Sequence, residues 1–112
     1  MTKEELLNRI KYTERGFSYT IVTPQENFSW GGMCVCDHCN GEFTEEPMYL
    51  SYVLADTFCK DCWKDILERQ NKYSQEDVDY DLQYENTEES LNWYRYHLDK
   101  EFRDSILAQQ DF

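Results

Sequence analysis

The spacing of apolar positions changes period several times along this chain, and each change marks an element. Leu6, Leu7 and Ile10 form a short helical stripe behind Thr2 and Glu5, whose spacing is that of a capping box. This predicts a first helix over about residues 3–14, before Gly16. Phe17 to Thr23 is β-branched and aromatic and stops at Pro24, which predicts a strand. Gly31-Gly32 marks a turn. A second strand-like run, Pro47 to Ala55, lies between Glu45-Glu46 and Asp56-Thr57 and holds either one long strand or a hairpin.

After Cys59 the period lengthens: Trp63, Ile66, Leu67 and Tyr73 recur at helical spacing, so a central helix is expected over about 60–73. From Asp77 to Glu85, acids and an amide alternate with Val78, Tyr80, Leu82 and Tyr84, which predicts an extended segment with one apolar and one acidic face. Thr87 then reads as an N-cap with Glu88 and Glu89 in the first turn. Leu91, Tyr94, Leu98, Phe102 and Ile106 form one stripe of a long last helix. The fold class expected is α+β: N-terminal, central and long C-terminal helices with short strands, and no repeat or linker.

A length of 112 residues is one domain with one modest core. Nine Tyr, six Phe and three Trp imply that aromatic bulk fills much of it, with hydroxyl and indole groups that need partners. The charged N-terminal stretch lacks a secretory signal's apolar run, and no uncharged run is long enough to span a membrane, so a soluble cytoplasmic protein is expected.

In a reducing compartment, paired Cys-x-x-Cys spacings point to metal more than to disulfides. Cys36 and Cys39 form one pair, Cys59 and Cys62 the other. A structural zinc ion takes four soft ligands at tetrahedral corners, and each pair supplies two thiolates from one tight turn. Gly41 suits the left-handed backbone that turns amide groups toward the sulfurs, and the second pair sits at a helix start, where the dipole favours thiolate. The order of knuckle, strands and helix resembles a treble-clef zinc finger embedded at about 34–73, leaving an acidic segment plus helix at about 74–112. One structural zinc is the cofactor expected. Cys34 could replace Cys36, but reads better as a free buried thiol; His38 is expected to face solvent, and His97 has no evident partner. Five Cys and two His are too few for a two-zinc RING.

Net charge is −12 and it is unevenly spread. Residues 1–33 hold four acids and four bases, 34–72 eight and four, and 73–112 eleven and three. Neither the span between Arg15 and Lys60 nor that between Lys72 and Arg95 contains a Lys or Arg. Duplex binding depends on cations that neutralise phosphates, and only Lys60, Lys64, Arg69 and Lys72 could line the finger helix. A zinc-finger adaptor or transcription regulator is therefore the second reading. An enzyme is disfavoured, since the chain offers neither a nucleophile–base pair nor an open metal position.

The acids suit a partner that itself handles nucleic acid. Glu76, Asp77, Asp79, Asp81, Glu85, Glu88 and Glu89 lie in one short span without a base. In an extended segment Asp77, Asp79 and Asp81 would project about 7 Å apart, near the phosphate repeat of a nucleic-acid strand. Tyr80, Tyr84, Trp93 and Tyr96 could anchor such a contact. A plain solvated face is the bland alternative, but the interleaved apolar residues argue for a fixed geometry.

A small, acidic, single-domain chain stapled by Cys36, Cys39, Cys59 and Cys62 resembles the type II anti-CRISPR proteins. These are inhibitors that bacteriophages carry against the RNA-guided DNA nuclease. The resemblance is one of character along the whole chain, with the cysteines as its one motif. It implies a place in the bacterial host's cytoplasm and the CRISPR effector nuclease as protein partner. It also implies DNA mimicry in place of catalysis, with target DNA kept out of a basic channel by Glu76, Asp77, Asp79, Asp81, Glu85, Glu88 and Glu89, and with Trp93 and Tyr96 as anchors.

Overall fold

A computed structural model describes residues 1–70, 74–85 and 87–109, and the backbone alone at residue 70. In chain order the elements are α1 (Lys3–Arg9), β1 (Lys11–Tyr12), β2 (Ser18–Val22), α2 (Pro24–Ser29), β3 (Met48–Ser51), β4 (Asp56–Phe58), α3 (Lys60–Gln70), α4 (Gln75–Leu82), α5 (Glu88–Leu98) and α6 (Lys100–Ala108). The fold is α+β, and its four strands form one antiparallel sheet in the order β1-β2-β3-β4.

Register separates two faces. Thr20 lies opposite Leu50 and Val22 opposite Met48, while Ile21 lies opposite Tyr49 and Tyr49 opposite Phe58. Directly opposed residues share a face. On the Tyr49 face, Trp63 of α3 stacks on Tyr49 at 5.6 Å and meets Tyr19 and Phe58 at 5.0 and 5.9 Å. On the other face, Thr20 donates its hydroxyl proton to the Arg9 carbonyl at 2.7 Å, and Asn27 of α2 reaches the Met48 sulfur. Leu6, Val22, Met48, Leu50, Phe58, Trp63 and Tyr94 belong to one buried cluster.

The first helix has the expected capping box but ends at Arg9, short of residue 14. Ile10 turns extended, and Lys11–Tyr12 pair with Ser18 and Tyr19 instead. α2 was not anticipated, although Thr23 and Glu26 form a second capping box with Pro24 in the first turn. The run from Pro47 to Ala55 resolves as the first half of a hairpin, turning through Tyr52–Ala55 into β4. Residues 71–73, at the end of the expected central helix, lie outside the described residues.

Two readings of the C-terminal third are corrected. The segment from Asp77 to Glu85 is not extended: α4 spans most of it, capped by Ser74, whose hydroxyl accepts the Asp77 N–H at 3.2 Å. Val78 and Leu82 stand four apart, so a buried stripe of one helical turn fits the same residues as the period-two pattern. The long last helix is broken at Asp99, which is both C-cap of α5 and N-cap of α6. Its carboxylate accepts the Phe102 N–H, and the new start lets Arg103 fold back under α5.

Candidate functional site

The knuckle is a short hairpin closed by backbone bonds. Cys36 N donates to Gly41 O at 2.9 Å, Asn40 N to Cys36 O at 2.8 Å, and Phe43 N to Cys34 O at 2.8 Å. The left-handed residue is Asn40, with φ 63°, and not Gly41 as expected. Gly41 is small for another reason: a Cβ there would lie 2.8 Å from the Phe43 ring and 3.4 Å from the Cys39 sulfur. Asp37 ties the knuckle to β4, because its carboxylate accepts the Thr57 N–H at 2.7 Å and hydroxyl at 2.9 Å, while Asp37 N donates to Thr57 O. Two residues later Cys59 closes the first turn of α3 by accepting the Trp63 N–H, and Cys62 lies within that turn. Knuckle, hairpin and helix follow in the order of a treble clef.

The sulfurs of Cys36, Cys39, Cys59 and Cys62 all lie within 4.8 Å of one another, and Cys39 Sγ is 3.9 Å from Cys59 Sγ. Four thiolates at about 2.3 Å around a tetrahedral ion sit about 3.8 Å apart, so the cluster fits a metal ion. Burial raises the Cys36 thiol, but the N–H groups of Cys39, Cys59 and His38 outweigh it and bring it to about 7. Burial, reinforced by neighbouring sulfurs, pushes Cys62 far above the ordinary thiol range, and burial also raises Cys59. One sulfur ionises readily and opposes ionisation of the rest; a cation at the centre reverses that opposition.

Cys34 stays outside the cluster, buried, with its sulfur directed at Pro24 O. His38 is exposed and accepts from Arg69 through Nε2 at 3.0 Å. His97 does have partners: its Nδ1 lies 2.8 Å from Trp93 O, and its ring packs against Trp30, Trp93 and Tyr96.

The expected partner residues separate. Glu76, Asp77 and Asp79 are exposed on α4 and Asp81 is half-buried there; Glu88 and Glu89 are exposed in the first turn of α5. The helix replaces the evenly spaced acidic row, so a one-to-one match with phosphate spacing is lost. Glu85 is turned inward, accepting the Ser18 N–H at 2.9 Å, and is corrected to a structural group. Trp93 and Tyr96 are half-buried; Trp93 packs against Tyr52 and Tyr94, and Tyr96 faces the Arg103 guanidinium. The aromatics that stand out among the acids are Tyr80 and Tyr84, 64% and 45% exposed and edge-to-face at 5.9 Å.

No family model, curated protein or solved structure matches the chain. Among the described residues, no helix is long and apolar enough to cross a membrane.

Proposed function

We propose that this chain is a zinc-stapled, non-catalytic binding protein whose α4–α5 surface occupies a basic, nucleic-acid-handling surface of another protein. The target assigned is the type II CRISPR effector nuclease, and binding there keeps target DNA from loading. The observation behind this reading is the exposed Tyr80–Tyr84 pair, set among Glu76, Asp77, Asp79, Asp81, Glu88 and Glu89 with no Lys or Arg between Lys72 and Arg95. Exposed aromatics supply contact area at low entropic cost, and the acids steer them toward a cationic partner. Zinc fits the donor set, since four thiolates favour a soft-tolerant tetrahedral ion and leave no open position for catalysis.

The test is co-elution with guide-loaded nuclease at rising salt, beside duplex DNA alone. The expected outcome is a complex with the nuclease, loss of target-DNA binding, and weakening as salt screens the acids. Asp79→Lys combined with Asp81→Lys should weaken the complex by about tenfold or more. Tight binding to bare duplex, with none to the nuclease, would instead support the regulator reading through Lys60 and Lys64 of α3. An unaltered complex with the double variant would move the contact to another surface.

A further inference from the structure

Beside the four-cysteine cluster, a cleft of about 470 Å³ opens between the end of α2, the knuckle and α5, and Trp30, Trp93, His97, Asp37 and Asp56 help to line it. The turn beneath it is closely specified. Gly31 has φ +94°, and a Cβ on Gly32 would lie 1.9 Å from Asn27 Oδ1 and 2.9 Å from Trp30 Nε1, so only glycine lets Trp30 and Asn27 pack there. His97 sits between the two indoles, 4.9 Å from Trp30 and 4.4 Å from Trp93, centroid to centroid. Its Nδ1 faces the Trp93 carbonyl, which can only accept, so Nδ1 holds the proton and Nε2 is an acceptor. Burial, with help from Arg103, lowers the pKa of His97 and keeps the ring neutral.

The two charged side chains of this lining, Asp37 and Asp56, are both acidic. Asp37 is fixed by its two bonds from Thr57, and Asp56 is exposed beside it. Burial and the neighbouring Asp37 charge raise the Asp56 carboxyl. Among the described residues, no Lys or Arg lines the cleft. Arg103 lies behind His97 and donates to Tyr96 O, His97 O and Ser29 Oγ.

We infer that this cleft is a receptor for one arginine side chain of a protein partner. A guanidinium is planar and weakly hydrated, stacks on indole faces, and presents a fork of donors to carboxylates. Trp30 and Trp93 supply the faces, and Asp37, Asp56 and His97 Nε2 supply acceptors. An ammonium is a compact, strongly hydrated point charge that uses the aromatic walls less well, an anion meets two like charges, and an apolar side chain leaves both carboxylates uncompensated. The volume falls within the range of small-ligand sites, roughly 300–1,000 Å³. Met33, 71% exposed and also part of the lining, offers apolar contact to the peptide flanking the arginine. This extends the reading above, where the partner is basic, by naming the side chain that enters.

The experiment titrates the full metal-loaded chain with acetyl-Gly-Arg-Gly-amide, with the Lys and Gly versions as controls, and follows the three indole N–H signals by NMR. Trp63, packed between Tyr19 and Tyr49 and absent from the cleft lining, is the internal reference. The arginine peptide should shift Trp30 and Trp93 saturably in the millimolar range while Trp63 stays still, with lysine weaker and glycine silent. Asp56→Lys, at an exposed position, should weaken the response about tenfold with the rest of the spectrum unchanged. An equal response to the glycine peptide, no saturable shift, or full arginine binding by Asp56→Lys would overturn the assignment. No nuclease enters this experiment, so its failure removes the arginine site alone, whereas failure to co-elute removes the target alone.

Discussion

The finger and the C-terminal helices are both acidic, yet they are held together by opposite means. In the finger, four sulfurs lie within 4.8 Å of one another, resist joint ionisation, and could together hold a metal ion. In the helices, order comes from buried polar groups that find partners far away in the chain. The Tyr94 hydroxyl lies 2.8 Å from Ser18 Oγ and accepts the Tyr52 N–H at 3.0 Å; Glu85 accepts the Ser18 N–H; Arg103 donates to Ser29 Oγ at 2.6 Å. An ion would complete the first arrangement, whereas the second uses groups of the chain itself. Most of the exposed acids on α4 and α5 hold little of either together, which leaves them available for binding.

The largest effect should follow from removing a sulfur. Cys59→Ser, or strong chelation, is expected to cost on the order of 5 kcal/mol or more, because the free energy of binding a metal ion at these four sulfurs would be folding free energy. Metal analysis should return about one zinc per wild-type chain, and loss of metal should release Trp63 from Tyr49, read by fluorescence and near-ultraviolet circular dichroism. Full stability under chelation would dissolve the contrast between the two regions. Next in size is Tyr94→Phe, which leaves the packing but strips the hydroxyl that joins Ser18 to Tyr52. A cost of about 1–3 kcal/mol in denaturant unfolding is expected, with metal content unchanged.

What could be read from residue order follows the same division. The four-cysteine cluster was legible because thiolate chemistry fixes its spacing locally, and the capping signals at Thr2 and Thr87 were legible for the same reason. The state of Asp77 to Glu85 was not, since Val78, Tyr80, Leu82 and Tyr84 satisfy a strand period while Val78 and Leu82 also satisfy one helical turn. Ser74 and Asp77 decide between them by capping. The burial of Arg103 was not legible either, because it depends on the helix break at Asp99 that turns it inward. The cleft was invisible because Trp30, Asp56 and His97 meet only through tertiary folding.

A third kind of hold, one partly exposed ion pair, should rank below both. Arg9 donates to both carboxylate oxygens of Glu26 at 2.9 Å. Burial raises that carboxyl, but Arg9 and Thr23 outweigh it and hold it below its ordinary value. A folded pKa below the unfolded one means stabilisation that is present above about pH 4.3 and lost as pH falls through the folded value. Glu26→Gln keeps a capping side chain without the charge, so it should cost about 1 kcal/mol at neutral pH and progressively less as pH falls through the folded value. A pH-independent difference would assign the effect to the cap.

The smallest effect on stability is expected where the effect on binding is greatest. Asp77 is not neutral to the fold: its side chain accepts the Ser74 hydroxyl at 2.8 Å, so reversing it would disturb the start of α4 by about 1 kcal/mol. Asp79 and Asp81 lie further along the helix. Asp79 accepts only an exposed amide bond from Gln75 among the described residues, and Asp81 holds α4 by its backbone carbonyl. Lysines there relieve repulsion among neighbouring acids and suit the negative end of the helix dipole. Asp79→Lys with Asp81→Lys should therefore leave unfolding within about 0.5 kcal/mol of wild type while partner binding falls. A large loss of stability would show that these acids belong to the scaffold, and the division between a self-sufficient frame and a free acidic surface would not stand.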